Sequence, residues 1–421
     1  MAIEETSHLR RDVRWNASSV ALWTIIIVAF LPYVPAGYRV EHVLAPLIAF
    51  NAFCFLISRQ VGILRWILAP LLALLIGVIA TVLGSIISQK TGTEASPANM
   101  FVRLAMPPLL LICFIYLIEK NNIAFRSIVE AIFFSSIVIA ALSLLSISST
   151  LSEFFHPFVA EDGVWRGSRG TGRYPGIFNQ PIEAGLYFGL ATLCLAYVYK
   201  VSKMQPLLLA VGFLAILLGG SVSLSKTFFL GLVVVTLFLI ALKKWRIVAT
   251  VAIGAVPAIA VAYYLLDPSG AYFNSLLTLL QENGPIAAIT AGRFGMTDAG
   301  GSEMARQLME AASRSQQNFF LGFGLGSFMP LDSGFFEYAY QGGIVALFGY
   351  LSFFAFFFWL SFRHRSSDYG KLLFFVTLFA LLASFGGPTL TANRAGYLLL
   401  LLLAGALVEA RRRAKTIDGG V

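Results

Sequence analysis

The chain has 421 residues, is 58% hydrophobic and carries only 12% charged residues, roughly half the charge of an ordinary soluble domain. Repeated apolar runs of about 20 residues exclude a soluble globular protein and point to a polytopic membrane protein, and the alternating ten-residue segments of a membrane β-barrel are missing. The formal net charge of +9 lies largely in short loops, where it acts as a topology signal, so nucleic acid is not an expected partner.

The first 15 residues, MAIEETSHLRRDVRW, are polar. The apolar run from about Ser19 has no small-residue cleavage site and reads as a retained first helix. Twelve spans are expected, near 19–36, 43–58, 63–88, 100–118, 127–148, 180–199, 206–222, 227–242, 247–266, 335–362, 372–386 and 395–410. The expected fold is therefore all-α, with about 12 transmembrane helices. Residues 1–148 hold helices one to five, 149–179 a first long loop, and 180–266 helices six to nine. Residues 267–334 form a second long loop, and 335–421 hold the last three helices and a basic tail. Cys54, Cys113 and Cys194 all fall inside apolar runs, where cysteine behaves as a small buried hydrophobe, and their spacing carries no metal pattern.

The spans put alternate loops on opposite sides. Of the 30 Lys and Arg residues, nineteen fall on one set of loops and eleven on the other. Basic residues favour the cytoplasmic side, so both termini are expected inside, and the two long loops, with short helices of their own, outside. Short connections do little but join helices, so function is expected in the long outer loops.

Those loops keep arginines that the topology rule should thin out: Arg166, Arg169, Arg173, Arg293, Arg306 and Arg314, with Lys226 and Arg394 at short outer turns. Arginine is a permanently charged fork that matches phosphate oxygens in pairs. Glycines 167, 170, 172 and 176 beside the first three let backbone amides approach an anion. Pairing with lipid headgroups, or with Glu161, Asp162, Asp298 and Glu303, is the plain alternative. In YPGIFNQPIEAG a loop runs into a helix, with Asn179 read as N-cap and Pro181 in the first turn. In SVSLSKT, Lys226 either completes an anion site or snorkels to the interface. GFGLG lacks the βαβ context of a dinucleotide fingerprint and is rejected as one. Asp332 and Glu337 lie where the second long loop returns to the membrane, and a carboxylate there is costly unless paired or functional. Asp332 is the candidate general base on a sugar hydroxyl; pairing with an arginine is the other reading.

The order of these motifs resembles one family. An arginine loop before GIFNQPIEAG, a polar SxSK turn, GR in a long outer loop, then GFGLGSF and DSGFFEYAYQGGI together resemble bacterial O-antigen and exopolysaccharide polymerases and the related O-antigen ligases. The match covers residues 165 to 400, and the span layout extends it to the whole chain. The resemblance implies a glycosyltransferase of the bacterial inner membrane. Its donor would be an undecaprenyl-diphosphate-linked oligosaccharide and its acceptor a sugar hydroxyl, with no nucleotide sugar, cofactor or metal.

Arg173 and Arg293 are implied to grip the diphosphate, with Arg166, Arg169, Arg306 and Arg314 less firmly aligned. Lys226 stands where the family pattern has arginine. The ligases carry a histidine in the second long loop; His8, His42, His156 and His364 all lie elsewhere, which favours a polymerase. Implied partners are membrane lipids and the chain-length regulator and flippase of the same pathway. A flippase for lipid-linked sugars, a ligase and a non-catalytic assembly protein are the other readings.

Overall fold

The computed structural model describes residues 17–33, 39–59, 61–88, 97–159, 162–170, 172–202, 204–244, 318–327 and 333–418, with isolated positions between 248 and 282. The expected span 247–266 lies outside these. Among the described residues every regular element is helical. In chain order they are α1 Ala17–Ala29, α2 Val40–Arg59, α3 Val61–Ser88, α4 Pro97–Lys120 and α5 Phe125–Leu145. Short α6 Ser152–Phe155 and α7 Asp162–Gly170 follow. Next come α8 Pro181–Val201, α9 Pro206–Val222, α10 Lys226–Ala241, α11 Gly334–Arg363, α12 Asp368–Ala383 and α13 Asn393–Asp418. By length and composition, six are able to cross a membrane: the 66–87 part of α3, then α4, α5, α8, α11 and α13 up to Lys415. The chain is thus a multi-pass helical membrane protein.

α8 and α13 are the centre of the bundle, each with 89% of its most apolar stretch buried. Their composition explains the position. α8 presents small residues, and Gly231 of α10 sits so close that a Cβ there would lie 2.6 Å from the Gly189 Cα. In lipid, helices gain by such close backbone approach more than by bulk apolarity. The ring of Phe379 from α12 fills the remaining hollow over Gly189. Around this pair, α3 lies along α11, α9 along α5, and α2 along α4.

α11 is not the continuous span expected from its sequence. Gly343 adopts φ 66° and ψ −164°, a conformation open essentially to glycine, and breaks the helix. The break would leave buried backbone groups without partners, which is costly wherever water is excluded. The GFGLG segment supplies them. Ile344 N–H donates to Phe319 O at 2.8 Å, Phe323 N–H to Tyr340 O at 2.9 Å and Gly324 N–H to Gln341 O at 2.8 Å. Ser85 of α3 accepts from Leu325 N–H at 2.6 Å and fastens the segment from the other side. Beyond the break, 344–363 has about the 20 residues that cross a bilayer unaided. The piece before it, carrying Glu337 and Gln341, therefore belongs to the edge of the membrane.

Gly343→Ala is expected to cost about 1–3 kcal/mol from backbone strain alone, and its Cβ would also meet the Phe320 carbonyl. Gly167→Ala is the contrast. Gly167 lies inside α7 with nothing within 4 Å of an added Cβ, so a gain of about 0.5–1 kcal/mol is expected. Thermal midpoints of the two variants in detergent should move in opposite directions.

Candidate functional site

Among the described residues, several of the connections expected outside touch one another. Tyr33 N–H, after α1, donates to Pro157 O at 2.8 Å, and Tyr174 N–H donates to Val222 O at 3.0 Å. Gly334 N–H donates to Ser384 O at 2.9 Å, and Arg394 Nη2 donates to Phe158 O at 2.9 Å. Several of the connections expected inside likewise touch one another: Ser18 Oγ donates to Asn121 O, Arg411 pairs with Glu119 at 2.9 Å, and Arg126 reaches Ser202.

The arginine segment is more ordered than a glycine-rich loop would be. Residues 162–170 form α7, so Arg166 and Arg169 sit on a helix. Short helices are expected in the long loops, but not at this position, because three glycines in nine residues argue against a helix here; tertiary packing holds it. Trp165 is the anchor. Its indole Nε1–H donates to Gly176 O at 3.1 Å, and its ring stacks on Phe155. Arg169 stacks its guanidinium 4.8 Å from the Trp165 ring and also faces Tyr174, so much of its fork is engaged in holding α7. Arg166 is exposed.

Arg173 follows α7, with its N–H bonded to Ser168 O, and is half-buried. The next residue, Tyr174, bonds the SVSLSK turn through Val222 O. Lys226 is the first residue of α10 and also half-buried. Arg173 and Lys226 thus flank one seam between the arginine segment and a helix N-terminus. In the same turn the hydroxyls of Ser221 and Ser225 are buried without hydrogen-bond partners among the described residues. Ser225 is the N-cap of α10, yet its side chain makes no capping bond. Cations, a helix N-terminus and uncommitted hydroxyls suit an anion. Asp332, Arg293, Arg306 and Arg314 lie outside the described residues.

Asn179 is not the N-cap of α8; Gln180 is, with Pro181 as the first helical residue. Asn179 instead donates its side-chain amide to Tyr33 OH at 2.7 Å. The N-terminus of α8 is served from within. Glu183, on the first turn and 5% exposed, accepts the Asn179 N–H at 3.1 Å. Its other oxygen accepts the Arg394 N–H at 2.8 Å. One carboxylate therefore lies at the N-termini of both central helices, α8 and α13, where each helix dipole favours negative charge. The Arg394 guanidinium lies over the Tyr33 ring at 5.3 Å. Burial, and next the charge of Glu183, hold the Tyr33 phenol above its usual range, so it stays protonated.

A second buried carboxylate, distant in sequence, is tied to the same stretch of chain. Glu337, fully buried on the outer piece of α11, pairs with Arg103 Nε of α4 at 3.0 Å. Its other oxygen accepts the Thr391 hydroxyl at 3.1 Å. Residues 384–394 therefore tie both acids together: Thr391 touches Glu337 and Arg394 touches Glu183. The sequence did mark Glu337 as an acid that needed a partner. Glu183 carried one unread signal, its place three residues beyond the helix cap, where a carboxylate reaches back to free amides.

Among the described residues no group of His, Cys, Asp and Glu is arranged to hold a metal ion. No model of a known protein family matches the chain, and no curated protein matches it either.

Glu183→Ala leaves two buried amides without an acceptor, so a loss of about 2–4 kcal/mol is expected, and Glu183→Gln, which keeps one acceptor oxygen, should lose about half as much. Arg103→Ala strands a buried carboxylate and should cost about 3–5 kcal/mol, whereas the double replacement Arg103→Met with Glu337→Met should recover most of it. Unfolding midpoints in detergent test both series.

Proposed function

We propose that this chain is a polysaccharide polymerase of the bacterial inner membrane. It would transfer a glycan from an undecaprenyl-diphosphate donor to a sugar hydroxyl of a second lipid-linked repeat unit. The proposal takes the end with the long loops and fewer basic residues as periplasmic and the more basic end as cytoplasmic, with twelve spans and both termini inside.

The observation that supports it is the seam where Arg173 and Lys226 flank the N-terminus of α10 beside the buried Ser221 and Ser225 hydroxyls. In the proposed reaction the acceptor oxygen bonds to the anomeric carbon of the donor. The bond from that carbon to the diphosphate oxygen breaks, and its electron pair leaves with the diphosphate. Arg173, Lys226 and Arg293 would hold the charge that develops there, with Arg166, Arg306 and Arg314 as further cations. Fixed cations at a membrane surface are strong at this task because little water competes with them. The acceptor proton passes to Asp332 or to water. An oxocarbenium-like transition state asks little of its nucleophile, so loss of the base should matter less than loss of the cations.

One observation favours a transport reading instead: α11 is a broken helix with non-helical backbone packed beside it, a device that transporters also use. The break falls toward one end of α11 and not at its middle, which fits a surface reaction better.

Purified protein given synthetic undecaprenyl-diphosphate repeat units, without nucleotide sugar, is expected to produce a ladder of glycans on a gel. Arg173→Ala should lower the rate by about 100-fold or more. Lys226→Arg should retain activity that Lys226→Ala loses. An unchanged ladder from Arg173→Ala removes the site assignment. Absence of any ladder, with lipid-linked substrate reaching the opposite leaflet of proteoliposomes, would replace the polymerase with a flippase.

A further inference from the structure

A cavity of about 450 Å³ opens between α8, α9 and α10, at the end of the bundle opposite the candidate site. It falls in the size range of small-ligand cavities, roughly 300–1,000 Å³. Its interior is apolar, walled by Leu195, Leu209, Phe213, Val235 and Leu239. Its lining also holds Tyr199, Ser202 and Lys244, near the ends of α8 and α10.

That part of the lining is cationic. Lys244 Nζ lies 5.9 Å from the centre of the Tyr199 ring, and no carboxylate among the described residues pairs with it. Arg126 of α5 donates to Ser202 Oγ at 3.0 Å, while its Nε pairs with Glu130 at 2.8 Å. Lys200 and Lys243 are exposed beside them. Lys244 thus lines the opening itself, and Arg126 reaches its Ser202, where helices α8 and α10 end.

We propose that this cavity binds an anionic phospholipid. One acyl chain lies along Leu195, Leu209 and Phe213, and the headgroup phosphate sits at Lys244 and Ser202. Charge complementarity selects the occupant. A zwitterionic lipid would gain nothing net from a rim of excess positive charge, whereas an anionic headgroup gains about fivefold in affinity for each basic residue near the surface. The site is separate from the proposed catalytic seam. α8 carries Glu183 at one end and Tyr199 at the other, about 25 Å apart along the helix, so one phosphate group cannot serve both. The proposal does not depend on the polymerase reading.

The test is native mass spectrometry of delipidated full-length protein titrated with dioleoyl phosphatidylglycerol or dioleoyl phosphatidylethanolamine. Phosphatidylglycerol is expected to bind one site at least about fivefold more tightly. Lys244→Gln, at the half-exposed rim, should bring the two lipids to near-equal affinity. Ala210→Phe should lose both, because Ala210 lines the cavity on the exposed side of α9 and the larger side chain fills it. Thermal midpoints of both variants confirm that they are folded. Equal affinity of the wild type for the two lipids, or a preference that Lys244→Gln leaves unchanged, would overturn the proposal. Displacement of phosphatidylglycerol by equimolar undecaprenyl phosphate would also overturn it, assigning the cavity to an isoprenoid tail. Failure to bind either lipid would mean that the cavity is filled by the chain itself.

Discussion

A backbone amide or carbonyl at membrane depth has no water to turn to, so it must find its partner within the protein. Two features of this chain follow from that. Gly343 breaks α11, and the 318–324 segment repairs the break by pairing with the backbone on both sides of it. The N-termini of α8 and α13 each begin with free amides, and Glu183 accepts one from each. In both cases a local irregularity in one element is made affordable by a segment far away in the chain.

These repairs arrange the end of the molecule that carries residues 149–179. Glu183 joins α8 to α13 at the centre of the bundle, and Glu337 joins α11 to α4. The stretch 384–394 touches both acids and also receives Gly334. This buried charge is compensated locally, so it contributes rigidity to the scaffold more than field to its surroundings. The half-buried Arg173 and Lys226 are placed differently, on the seam where the arginine segment meets α10. A rigid central pair with cations beside it at one end would suit the proposed transfer reaction, since fixed charges need no reorganisation as a leaving group departs.

The arginines of the first long loop illustrate how residue type alone can mislead. Arg166, Arg169 and Arg173 read alike in sequence, as forks beside glycines. Folding separates them. Trp165 plants α7 on the Gly176 carbonyl, and Arg169 is spent on the Trp165 and Tyr174 rings. Arg173, four residues further on, falls just past the helix, and the next residue, Tyr174, bonds the SVSLSK turn.

Apolar runs of membrane-crossing length, and the unequal sharing of basic residues between alternate loops, were legible in the sequence because hydrophobicity and charge are properties of residues taken one at a time. So was the special character of GFGLG and of Glu337, though not their purpose. The break at Gly343, the service of one carboxylate to two helices, the position of the helix at 162–170 and the bond that ties Tyr174 to the turn before α10 were decided only by the tertiary structure. Each depends on a hydrogen bond or ring contact between segments distant in sequence or differently placed in it, and the pairing of such groups is set by where the packed helices bring them, not by the residues' own preferences.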